Sequence, residues 1–122
     1  MNHQTFDDRD TALSLGDLAV LRENLREQLL FRREQLRQLS EAATRADAFL
    51  DRRTAAQMEV RVKLTASASM VLTDVEAALA RMDQGHYGIC HLCRGPMARE
   101  QLMIVPQARY CGRCQHVREA RP

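Results

Sequence analysis

Tryptophan is absent from this 122-residue chain, and only two tyrosines and three phenylalanines are present. So few aromatic side chains are a poor basis for a large globular core and favour helices packed on one another. Neither glycine nor proline occurs between Asp17 and Gln84. That excludes turns built on those residues over more than half of the chain, and leaves the stretch to helix formers: Ala, Leu, Arg, Glu and Gln. No run of about eighteen apolar residues exists, so no segment is suited to span a membrane. Residues Met1–Asp10 are polar and acidic. They lack the basic and apolar regions of a signal peptide, so the chain is expected to be cytoplasmic, where thiols stay reduced. Cysteine is scarce too: Cys90, Cys93, Cys111 and Cys114 are all there are.

Those four form two Cys-x-x-Cys pairs with seventeen residues between them. Each pair can present two thiolates from one tight turn. Two such turns brought together place four sulfurs at tetrahedral corners, which suits one d¹⁰ zinc ion. Four thiolates leave no open coordination position, so the zinc is expected to be structural. The segment between the outer cysteines holds few large apolar residues, among them Leu92, Met97, Leu102, Ile104 and Tyr110. Metal binding would add folding free energy of order 10 kcal/mol to so small a core. Structural disulfides would need an oxidising compartment. A thioredoxin-like redox pair would need a buried strand before Cys90, and none is visible. His86, His91 or His116 could each stand in for a cysteine.

Charge is unevenly placed. From Tyr87 onward six arginines face two glutamates, a local +4, although the whole chain carries +2. The C-terminal end could meet an anionic surface, or its arginines could simply keep it soluble.

Residues 1–16 read as a flexible acidic arm framed by Asp7, Asp8, Asp10 and Asp17. Ser14 with Asp17, or Asp17 itself, is expected to cap the first helix. Over residues 17–84 two apolar seams step by three and four. The first runs Leu18, Leu21, Leu25, Leu29, Leu36, Leu39, Ala43 and Ala46, lapsing at Arg32; the second runs Met58, Val62, Thr65, Ala68, Leu72, Val75, Leu79 and Met82. Two seams of similar length predict an antiparallel coiled-coil hairpin with arms of about 30 residues and about 45 Å. Its tip is expected near residues 45–54, where Asp47, Asp51, Arg52 and Arg53 cluster. Such a hairpin is expected to be monomeric. One unbroken helix that dimerises as a coiled coil is the alternative. Gly85 is placed to end the second arm in the left-handed conformation. Residues 85–122 then make a four-cysteine zinc finger with a short C-terminal helix from Gln115 to Ala120. The fold class is mostly α.

The run Tyr87-Gly88-Ile89-Cys90-x-x-Cys93, then Leu102, Pro106, Ala108 and Tyr110-Cys111-x-x-Cys114-Gln115, resembles the DksA/TraR family of zinc-finger transcription regulators. The resemblance covers Gly85 to Gln115, and more loosely the preceding hairpin. It implies a partner, bacterial RNA polymerase, bound without contact to DNA bases. It implies a coiled coil inserted into the polymerase's secondary channel, with the finger and terminal helix on the rim. Longer members carry Asp-x-x-Asp-x-Ala at the tip. Counted back from Cys90, the first acidic position falls on Asp47, the second on Leu50 and the alanine on Arg52. A one-residue slip places Asp51 on the second, so Asp47 and Asp51 are the candidate tip acids. Carboxylates there could act on a magnesium-dependent centre, or they could be solvated acids of a tight bend. Family members also respond to guanosine tetraphosphate through basic residues of the second arm. The matching offsets here hold Ser67 and Asp74, and Thr65–Ser69 carries no positive charge. A polyphosphate needs arginine or lysine forks, so alarmone binding through that face is expected to be weak or absent. Gln101 stands where relatives often have arginine.

Two other classes remain. One is a zinc-capped coiled-coil adaptor. The other is a nucleic-acid-binding zinc-finger protein, against which the Cys90–Cys114 segment lacks a helix bearing several base-reading side chains. No nucleophile–base pair or phosphate loop is visible, so no enzymatic activity is expected.

Overall fold

Helix formers without a breaker give two long helices. In the computed structural model, which describes residues 13–46 and 52–120, α1 spans Leu15–Ala46 and α2 spans Arg52–Gln84. Arg22 pairs with Asp83 at 2.9 Å and Arg33 with Glu76 at 3.4 Å. Numbers rise on one arm as they fall on the other, so the arms are antiparallel. The unbroken rod is therefore not what this chain adopts. Two short helices follow, α3 at Arg99–Ile104 and α4 at Gly112–Ala120. The architecture is a helical hairpin followed by a four-cysteine module and a short C-terminal helix. Among the described residues, no helix is long and apolar enough to cross a membrane.

The caps explain where the arms begin and end. The Ser14 hydroxyl accepts from the Asp17 backbone N–H at 2.9 Å, and the Asp17 carboxylate accepts from the Ser14 N–H at 3.0 Å. This reciprocal box starts α1 at Leu15, inside the stretch expected to be a loose arm. At the far end Gly85 takes φ +77°. Its N–H reaches the Met82 carbonyl at 3.2 Å, while the His86 N–H reaches Arg81 at 2.9 Å. That pairing closes α2 as a Schellman motif, as the left-handed role of Gly85 anticipates.

Among the described residues the buried clusters sit toward the base of the hairpin, with Ala68 buried midway along α2. Leu25, Val75 and Ala78 form one cluster, flanked by Leu29, Val71 and Leu79. A second cluster joins the hairpin to the module: Leu21 packs with Cys90, Met97 and Leu102, edged by Leu13, Met82, Tyr87 and Tyr110. Farther out the seams depart from expectation. Ala43 is exposed and Ala42 is half-buried instead. Val62 is 67% exposed and Thr65 is exposed, while Arg61 is half-buried. A two-helix interface is only a narrow strip, so a one-residue offset carries a side chain out of it by about 100°. The long apolar stem of an arginine can cover such a strip. Of the tip expected near residues 45–54, residues 47–51, with Asp47 and Asp51, lie outside the described residues.

Candidate metal centre

Both Cys-x-x-Cys turns owe their shape to backbone hydrogen bonds. Around the first, the Cys90 N–H donates to Gly95 at 2.8 Å, the Arg94 N–H to Cys90 at 3.0 Å, and the Met97 N–H to Gly88 at 2.8 Å. Ile89 and Pro96 close this loop as an antiparallel bridge. Arg94 pays for the tight turn with φ +65°, a conformation costing a non-glycine residue of order 1 kcal/mol. Gly88 has φ +87°, and a Cβ there would lie 3.6 Å from Leu13 and 3.7 Å from Leu102. Those are ordinary contact distances, so it is the left-handed backbone that explains why glycine precedes the first cysteine pair. The second turn leads directly into α4, which starts at Gly112 instead of Gln115; its Gln115 N–H reaches Cys111 at 2.8 Å. The His91 N–H donates to the Arg109 carbonyl at 2.9 Å and so ties the turns together.

The result is a compact set of four thiols. The Sγ atoms of Cys90, Cys93, Cys111 and Cys114 all lie within 4.8 Å of one another. Cys93 and Cys111 sulfurs are 3.9 Å apart. A disulfide needs about 2.05 Å, and all four cysteines are free. Tetrahedral zinc with sulfur at about 2.3 Å would set its ligand sulfurs about 3.8 Å apart, so the spacing fits such an ion. Cys90 is fully buried and Cys93 is exposed. Burial raises the Cys90 thiol, but backbone N–H groups of Cys93, Cys111 and Leu92 more than offset this, and the net is a fall to about 6. Burial and hydrogen bonds to the other thiols push Cys114 up to about 12. Among the described residues, the metal-capable group contains the four cysteines and none of the histidines.

The surroundings hold the centre to the hairpin. Tyr87, pushed by burial to about 12, donates its hydroxyl to the Pro106 carbonyl at 2.8 Å. Gln101 donates to the Tyr110 carbonyl at 2.8 Å, fastening α3 to the second turn. The Arg118 guanidinium lies 4.3 Å above the Tyr110 ring, and His91 meets the edge of that ring at 6.1 Å. Asp74, at one alarmone-matching offset, is paired with Arg109 at 2.7 Å. Ser67, at the other, is exposed. A cleft of about 830 Å³ opens between α2 and the module, lined in part by Thr73, Asp74, Gln101, Arg109 and Arg118. Sequence reasoning did not find α3, nor the contacts of Asp74 and Gln101.

Fold and site together define a class: a helical hairpin carrying a four-thiol centre, able to hold one metal ion, at its base. The fold is that of transcription factor DksA2 from Pseudomonas aeruginosa, with a TM-score of 0.77 over 88% of this chain and 87% of that one. Sequence identity to it is 19%, so the likeness is one of fold. An uncharacterized protein of Aquifex aeolicus (strain VF5) is 35% identical over 43 residues, which are 35% of this chain and 30% of that protein. The match thus spans less than a third of that relative's length. No family model matches the chain.

Proposed function

We propose that this protein is a transcription regulator of the DksA/TraR type that binds bacterial RNA polymerase in the cytoplasm. Its helical hairpin enters the polymerase's secondary channel, and one structural zinc held by Cys90, Cys93, Cys111 and Cys114 anchors the base. The observation that carries this reading is the shape of the hairpin. A 32-residue α1 is about 48 Å long at about 1.5 Å per residue. Its packing core is concentrated at the module end. An element that long and slender exceeds what four cysteines need for support and fits a narrow opening. The likeness in fold to a protein described as a transcription factor supports the same reading. So do the finger residues that resemble the family.

The zinc would supply structure alone, since four thiolates fill its coordination shell. The protein works as a monomer, without turning over a substrate and without reading DNA bases. A zinc-capped adaptor is the second reading. The alarmone face offers little to a polyphosphate: Asp74 already occupies Arg109, and Arg118 lies over Tyr110. Transcription with purified polymerase, with and without guanosine tetraphosphate, tests the proposal. A promoter-dependent change in transcript yield that the alarmone does not alter is expected. No effect at any promoter, with no co-sedimentation with polymerase, would leave the adaptor reading standing.

A further inference from the structure

The covalent link between hairpin and module is one short segment with positive-φ glycines at Gly85 and Gly88. Nothing lies within 4 Å of a Cβ placed at Gly85, so packing does not stiffen that residue. Alone, this segment would let the module swing against the helices. α1 has no direct peptide connection to the module at all. Yet its N-terminal end meets the module: Leu21 belongs to the cluster of Cys90, Met97 and Leu102, and two further contacts lie at and just before the first turn. Leu13 packs into the cluster of Cys90, Met97 and Leu102. Asp17 receives both the Nε and Nη2 of Arg99, each at 3.0 Å, across 82 residues of sequence.

We propose that Asp17 and Arg99 form a positioning clamp that fixes the angle between the four-cysteine module and the helical hairpin. The carboxylate is already oriented by the Ser14 N–H, which donates to the same Oδ2 that accepts from Arg99 Nε. Its side chain is 16% exposed, against 44% for Arg99. Arg99 is the first residue of α3, and the N-terminus of that helix has no side-chain cap of its own. The clamp therefore pins the uncapped start of α3 to the capped start of α1. On the other arm, Arg109 pins the module to Asp74 of α2. Each arm is thus gripped by its own ion pair, and rotation about the glycine segment is blocked from both sides. A two-pronged fork gives directional hold that a single ammonium cannot, so lysine at position 99 would not replace it. Arg99 and the Ser14 N–H also keep the Asp17 carboxyl well below the usual carboxylate range, so the clamp stays charged in ordinary buffers.

The proposal takes from the proposed function only that hairpin and module meet one partner in fixed relation; its test needs no partner. Residual dipolar couplings of the full-length, zinc-loaded protein report the orientation of the two parts. In the wild type, couplings from α1, α2 and the module should fit one alignment tensor. Arg99→Met should need a second, smaller tensor for the module, with one zinc per chain retained. Amide exchange at Leu18–Leu21 should speed up about threefold to fivefold, as the loss of one partly exposed ion pair implies. Arg99→Lys should behave like Arg99→Met. Asp17→Asn keeps an acceptor for the Ser14 N–H and should show the same change, so it decides the matter if Arg99→Met fails to fold. One shared tensor and unchanged exchange in the folded variants would overturn the clamp. Failure to bind polymerase would leave this result untouched.

Discussion

Changing Cys111 to serine should release the zinc and unfold the four-cysteine module while leaving most of the hairpin helical. The expected loss is of order 10 kcal/mol, because metal binding and folding of so small a unit are one equilibrium. Cys111 edges the cluster that contains Cys90, Met97 and Leu102, so the damage reaches the packing at once. Leu21 shares that cluster, and the first turns of α1 should fray with it. Leu25, Val75 and Ala78 form a separate cluster and should hold the arms together. Zinc analysis of reduced protein, with an amide correlation spectrum, checks this. Dispersed peaks for residues 88–118 should vanish while far-ultraviolet circular dichroism stays strongly helical. A folded, zinc-bearing mutant would contradict ligation by all four cysteines.

The double change Asp47→Ala, Asp51→Ala should abolish the effect on transcription and leave association with polymerase intact. Contacts that hold a rod in a channel are spread along its length. Two carboxylates at the tip would act on the divalent metal or the elements around it instead. Transcript yield and co-sedimentation measured on one preparation separate these roles. Equal loss of both would make the acids binding residues, and full activity would make them solvated bend acids.

Much of this was legible in the sequence. The four cysteines announce their site through spacing alone, and their sulfurs do converge. The seam was right at Leu21, Leu25, Ala68 and Val75, all buried. It failed at Val62 and Thr65, since three- and four-residue steps run equally well through Arg61, and nothing local favours one register. Ser14 and Asp17 were readable as a cap because their bonds are three residues apart. The second role of Asp17 was not, because Arg99 is 82 residues away. Helix α3 escaped notice for a related reason. It has six residues and no side-chain cap, and Arg99 and Gln101 anchor it to distant parts of the chain. Tertiary contacts of this kind leave no periodic trace.

The proposal that the hairpin enters the polymerase's secondary channel tip first, toward its magnesium-dependent centre, has a direct measurement. Iron(II) replaces magnesium in that centre, and the hydroxyl radicals it generates cut whatever chain lies nearby. With this protein end-labelled and bound, cleavage should map to residues 45–54 and spare the module. Cleavage within residues 85–122, or none in a complex shown to have formed, would contradict insertion by the tip.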